Sequence, residues 1–243
     1  MSGEPPAPRR AWTGGALAAA AGLIVGAAAV ALYHGWATPG REATETIVRN
    51  YILEHGELLQ QAVDRMQQRQ AAASVAQHRA ALETPFHGAW AGAANGDVVL
   101  VEFFDYACPY CHATNADVDR LLREDPRLKV VWRELPVLGP DSRAAAYVSL
   151  GAARQGRYRA FHDRMFSLGR PNETVVAQAV QDSAIQREGE TADGRAELAS
   201  NLILARALNA SGTPTFVVGD QILQGAVGYQ ALKDAIAAAR ARS

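Results

Sequence analysis

Val98-Val99-Leu100-Val101-Glu102-Phe103-Phe104-Asp105-Tyr106-Ala107-Cys108-Pro109-Tyr110-Cys111 is the stretch on which the fold turns. Residues 98–104 are apolar except for Glu102, and Asn95-Gly96 just before them is a strong turn signal. A continuous apolar run of this length suits a central strand covered on both faces. A helix pattern starts near Pro109, where a missing N–H costs little, and Val118, Leu121 and Leu122 form its apolar face. The turn from strand to helix therefore carries a pair of thiols.

Working outward, residues 129–135 read as a second strand, and Pro136, Gly139 and Pro140 then break the chain. A helical block follows from 142 to 208. Asn172 is the expected N-cap of a helix over 173–184, residues 189–194 a loop, and 196–208 a further helix. Residues 215–218 and 222–224 form a hairpin about Gly219-Asp220, and a last helix covers 229–241. Strand, helix, strand, helical block, hairpin, helix is an α/β order.

Upstream, Thr84-Pro85 marks a boundary. From 44 to 78 the pattern is helical and polar. Ile52, Leu59, Met66 and Ala73 recur every seven residues, with Val48, His55 and Ala62 four before the first three, which is the spacing of a narrow coiled-coil seam. Gly56 interrupts it, so two helices are as compatible as one, packed either on another copy or on the globular domain. Residues 11–33 carry no charge and follow Arg9-Arg10. That length and flank favour a membrane-anchor helix or uncleaved signal, with residues 1–10 in the cytoplasm and the remainder across the membrane; cleavage near Ala37 would release it. The expected division is thus 1–10, an anchor over 11–33, a helical stalk over 34–84 and a globular domain over 85–243. The formal net charge of −1 argues against nucleic acid as a partner.

The chain has two cysteines, so Cys108 and Cys111 serve local chemistry and staple nothing else. At a helix start, free backbone N–H groups and the helix dipole favour a thiolate, which makes Cys108 the expected exposed, acidified nucleophile and Cys111 the shielded resolving thiol. Glu102, a lone acid in an apolar strand, should have a raised pKa and take the Cys111 proton. Thr213-Pro214 precedes the strand Thr215-Phe216-Val217-Val218, a place where a cis bond is a deliberate feature. The rival reading is a metal-binding protein. In it Cys108, Cys111 and His112 hold copper(I), as soft thiolates allow, although one Cys pair is too few for structural zinc. A third reading, a membrane-tethered scaffold with incidental thiols, is separated from both by replacing the two cysteines.

Residues 101–111 together with Gly212-Thr213-Pro214-Thr215 resemble the DsbA-like branch of the thioredoxin superfamily. Within it, the likeness extends to the suppressor-of-copper-sensitivity protein C (ScsC) group, through the N-terminal helical segment and its Tyr51-Ile52-Leu53-Glu54. The resemblance implies a thioredoxin fold with a helical subdomain inserted at about 141–208, preceded by the stalk and the membrane-anchor helix. It implies thiol–disulfide exchange with no cofactor and no metal, on exported client proteins, alongside a membrane redox partner. Cys108, Cys111 and Glu102 take the roles given above, Thr213 and Pro214 pair with client backbone, and Thr215 and Tyr110, with Phe216, line the groove beside them. Some members trimerise through the stalk and isomerise disulfides, and a threonine before the proline occurs in family isomerases. The place implied is the bacterial inner membrane facing the periplasm, or the periplasm itself if the N-terminus is cleaved.

Overall fold

The computed structural model describes residues 22–33 and 40–242. The chain divides into two compact units, Met1–Asp64 and Arg65–Ser243. The second therefore begins at Arg65 rather than at the expected 85.

In the first unit, residues 22–33 form helix α1. Helix α2 (Arg41–Glu54) buries none of its residues. It stops at His55, and α3 (Glu57–Glu83) starts after Gly56, so the expected interruption does make two helices. Ile47, Val48, Tyr51, Leu53 and Leu59 present their side chains to solvent within this chain. Among the described residues no helix is long and apolar enough to cross a membrane. Of the stretch 11–33 expected to do so, residues 11–21 lie outside the described residues, as do residues 1–10 and Ala37.

The second unit is built on a five-stranded sheet of order β1-β3-β2-β4-β5. Its strands are β1 (Trp90–Gly92), β2 (Val98–Phe104), β3 (Leu128–Glu134), β4 (Thr215–Val218) and β5 (Gln221–Gln224). β2 runs parallel to β3, and β1, β4 and β5 are antiparallel to their neighbours. The helix α4 (Pro109–Glu124) crosses from β2 to β3. The helices α5 (Pro140–Arg154), α6 (Tyr158–Leu168), α7 (Glu173–Asp182) and α8 (Ala192–Ala207) form the insertion, and α9 (Gly228–Arg240) closes the chain.

Strand alternation sends Val98, Leu100, Glu102 and Phe104 to one face and Val99, Val101 and Phe103 to the other. On the first face they join Trp132, Phe216, Val118, Phe161 and Ile236, under α4, α6 and α9. On the second, Val101, Phe103 and Val131 pack with Val75 and Leu82 of α3, with Leu204 of α8 and with Leu208 just after it. Two covered faces explain the unbroken apolar run.

Arg133, on that second face, is 3% exposed. Its guanidinium donates to the carbonyls of Ala81, Leu82 and Thr84 at the end of α3, and to Glu197 Oε1 (3.0 Å) and Asn201 Oδ1 (3.1 Å) of α8. Helix-terminal carbonyls have no intrahelical partner, and here an arginine supplies it. Asn172 caps α7 as expected, accepting from Val175 N at 2.9 Å. Residues 189–194 are not all loop: Thr191 caps α8 by accepting from Gly194 N, so the helix starts at Ala192. The short edge strand β1 has no counterpart in the sequence reading, because three residues are too few to show a period.

Candidate functional site

Cys108 is the N-cap residue of α4, in extended conformation, with Pro109 opening the helix. Both cysteines are free thiols. The Cys108 thiol donates to the Thr213 carbonyl at 3.1 Å, and the Thr213–Pro214 bond is cis. Strand β2 and the loop before β4 are thus brought together at the helix tip. The sulfur expected to be exposed is not. Cys108 is 3% exposed and Cys111 fully buried, because the Thr213 loop covers the helix tip.

Beneath the pair lies Glu102, 2% exposed. The parallel register sets it beside Trp132 on β3, and the antiparallel register beside Phe216 on β4. The Trp132 indole N–H donates to Glu102 Oε2 at 3.0 Å. Burial pushes the Glu102 carboxyl up to about 8; the indole hydrogen bond opposes the rise and the nearby Asp119 charge adds to it. Burial also drives the Cys111 thiol far above its ordinary value, reinforced by the charge of Glu102.

Tyr110 is well exposed beside the pair. Thr213 is half-buried, while Pro214, Thr215 and Phe216 are buried. Thr215 and Phe216 therefore line no open groove. The Thr215 hydroxyl donates back to the Gly212 carbonyl at 2.7 Å and shapes the loop instead. His112 does not face the thiols as a third ligand, since its Nε2 donates to the Tyr106 carbonyl at 2.8 Å. Among the described residues no group of three or more His, Cys, Asp or Glu side chains is placed to hold a metal ion.

Three contributors escaped the sequence reading. Trp132, inside the strand expected over 129–135, is the partner of Glu102. Asp105, 1% exposed, accepts from the backbone N–H of Ala107 (2.8 Å), Val137 (2.8 Å) and Leu138 (2.9 Å), which ties the turn before Cys108 to the loop after β3. Arg159 of α6 binds Asp119 and Asp163 and lies over the Trp132 ring, 5.1 Å from its centroid. Strand pairing, which no single segment encodes, was the missing signal for Trp132; for the other two, residues far apart in the chain meet only in the fold.

A dithiol at a helix tip, a cis-proline loop across it and a buried acid below define a thioredoxin-fold domain of the thiol–disulfide oxidoreductase type. Residues 99–237 match the DSBA-like thioredoxin domain, and the chain belongs to that family. Residues 41–73 match the copper resistance protein ScsC N-terminal domain. A periplasmic thioredoxin-like protein from Salmonella enterica serovar Typhimurium is 26% identical, with TM-score 0.64 over 67% of this chain and 95% of that one. A linker-deletion mutant of Proteus mirabilis ScsC is 26% identical, with TM-score 0.68 over 85% of this chain and 99% of that one. A Na+/H+ antiporter from Salinispora tropica is 31% identical over 156 residues, which are 61% of this chain and 24% of the antiporter. The chain spans about a quarter of the length of the curated relatives it matches.

Proposed function

We propose that the chain exchanges disulfides with exported client proteins through Cys108 and Cys111. The Cys108 thiolate attacks a client disulfide; one client sulfur joins Cys108 and the other leaves as a thiolate that takes a proton. Glu102 carboxylate then accepts the Cys111 proton, and Cys111 sulfur displaces the client from Cys108. The client leaves reduced by two electrons and the chain carries the Cys108–Cys111 disulfide. The reverse sequence oxidises a client dithiol. Thr213 and Pro214 hold the client backbone, and Tyr110 contacts its side chains. The observation that carries this reading is the Cys108 thiol at the tip of α4, in hydrogen bond with the Thr213 carbonyl.

The direction we favour is isomerisation by a self-associated form, working on the periplasmic side of the membrane with a membrane redox partner. The unburied apolar positions of α2 and the match to the ScsC N-terminal domain support self-association. Equilibration in glutathione buffers gives the potential of the Cys108–Cys111 pair, and refolding of a scrambled-disulfide protein tests isomerisation. A Cys111→Ala variant should accumulate a mixed disulfide through Cys108. A monomer that cannot rescue the scrambled protein overturns the isomerase reading, and absence of any mixed disulfide overturns exchange itself.

A further inference from the structure

The loop after β3 brings two exposed apolar side chains to the catalytic turn: Val137 is 52% exposed and Leu138 46%. Single exposed apolar residues are ordinary, but these two are adjacent and fixed in place. Asp105 Oδ2 accepts from Val137 N (2.8 Å) and Leu138 N (2.9 Å), while its Oδ1 accepts from the N–H of Ala107 (2.8 Å), the residue before Cys108. Through that one carboxylate, Leu138 N is set within roughly three residues of extended chain from Ala107 N. Gly139, with a φ of 126°, then turns the chain into α5, which Pro140 opens. Arg143, Ala144 and Tyr147 follow Pro140 on one face of that helix, and with Glu190 from the loop before α8 they line an open recess of about 390 Å³ that begins at Gly139. Glu190 is already held, its Oε1 accepting from Arg195 Nη1 at 3.0 Å. The Arg143 guanidinium has no hydrogen-bond or ion-pair partner among the described residues. The free charge among the residues that line the recess is therefore positive.

Resting on the reading of Cys108 as the residue that meets clients, we propose that Val137, Leu138 and the recess beyond them form a client subsite on the insertion. Its occupant is an extended segment of unfolded polypeptide, with an apolar side chain close to the reactive cysteine and an acidic one farther along. Continuity with the catalytic turn argues for a client: a chain bonded to Cys108 has its flanking residues beside Val137 and Leu138, which lose water when an apolar side chain covers them. Charge argues for the acid, because a guanidinium without a partner gains a carboxylate without first giving up another ion pair. The Tyr147 ring and Ala144 give the same segment an apolar floor. Selection between clients then lies in α5 and the loop before it, whereas Thr213 and Pro214 meet the backbone that every client has.

The experiment uses the reduced full-length chain and short synthetic peptides, each with one cysteine joined as a mixed disulfide to thionitrobenzoate. The Cys108 thiolate attacks the peptide sulfur, the Cys108–peptide bond forms, and thionitrobenzoate leaves with the electron pair as a coloured thiolate. The peptides carry leucine about two residues from the cysteine and aspartate or lysine about five residues from it, on either side. Each rate is divided by that of the same chain with hydroxyethyl disulfide, which is neutral and carries no peptide. With the acid on one side of the cysteine, the aspartate peptide should react roughly two- to fivefold faster than the lysine peptide, the range of an exposed ion pair, and salt should shrink the difference. Arg143→Met should erase the preference and Arg143→Glu should reverse it. Leu138→Ser should slow the leucine peptides more than peptides with serine in that place. A native chain that does not distinguish aspartate from lysine on either side, or a preference that survives Arg143→Met, overturns the inference. If Arg143→Glu dissociates an oligomer in light scattering and leaves the peptide rates as they were, the surface joins copies of the chain and the inference falls too. A chain that reacts with hydroxyethyl disulfide but with no peptide has lost the client reading itself.

Discussion

The indole N–H of Trp132 and the Oε2 of Glu102 meet at 3.0 Å, across the parallel pairing that sets β2 beside β3. The bond favours the charged carboxylate, which burial opposes. Two opposed influences on one buried acid leave its pKa at about 8, close enough to neutrality for it to both hold and release a proton.

Replacing Trp132 with Phe keeps a ring in the core and removes the donor. A hydrogen bond to a charged group contributes about 1.5–3 kcal/mol, equivalent to roughly 1–2 pH units. The Glu102 pKa should therefore climb further. Resolution of the Cys108 mixed disulfide at neutral pH should slow by about tenfold, with its midpoint moved to higher pH. Rapid-quench kinetics across pH check this; an unchanged midpoint would show that the bond does not govern the acid.

Stability should depend on pH through the same carboxyl. Its pKa is 4.5 ordinarily and about 8 when folded, so between these values the folded state binds the extra proton. Stability carried by the protonated acid is complete below 4.5 and is lost as pH rises through the folded value. At pH 7 the accumulated loss is on the order of 3 kcal/mol at most. Glu102→Gln lacks the titration and should resist denaturant better than the native chain at pH 7, with the advantage shrinking towards pH 4.5. Urea unfolding at several pH values measures it, and equal slopes for both proteins would refute it.

The strand, the helix that follows it and the acid between them were legible because each is a local pattern: an apolar run, a proline at a helix start, one charge in the wrong place. The helical block and its Asn172 cap were legible for the same reason. Cys108 was read as exposed because exposure depends on Thr213, more than a hundred residues away, folding across it. Thr215 follows the proline directly and so looks like a groove residue, but its register opposite Phe103 turns it to the buried second face of the sheet. Pro85 is a local break and so the expected end of the stalk, whereas Val75 and Leu82 share one buried cluster with Val101 and Phe103 of the sheet. Local rules find elements and nucleophiles; partners across strands need the fold.

Asp105 offers a test of how the site is held. Its buried carboxylate accepts three backbone N–H groups from two loops. Asp105→Ala leaves those donors without that partner; the Ala107 N–H is buried, where an unsatisfied group costs about 1–3 kcal/mol, whereas Val137 and Leu138 are exposed and their N–H groups are open to water. A loss of about 1–3 kcal/mol in denaturant unfolding is expected, with Asp105→Asn losing less because its carbonyl still accepts. Faster amide exchange should be confined at first to Ala107, Val137 and Leu138. Stability unchanged in the alanine variant would mean that water replaces the carboxylate without cost.

Arg133 makes the corresponding joint on the other face of the sheet. It sits beside Trp132 and Glu134 in β3, yet its guanidinium serves the last carbonyls of α3 and the side chains of Glu197 and Asn201 on α8. Burial lowers its pKa, and the Glu197 charge and hydrogen bond offset part of that fall, so the arginine remains a cation paired inside the fold. Arg133→Met fills similar space with an apolar chain but strands the α3 carbonyls and the Glu197 carboxylate. Breaking a buried pair from one side costs about 3–5 kcal/mol, a large share of a domain's stability. The variant should unfold at lower denaturant, and protease should cut first near residues 81–84, before the sheet is reached. A double variant, Arg133→Met with Glu197→Gln, removes the abandoned charge and should recover part of the loss; if it recovers none, the arginine acts through the α3 carbonyls alone.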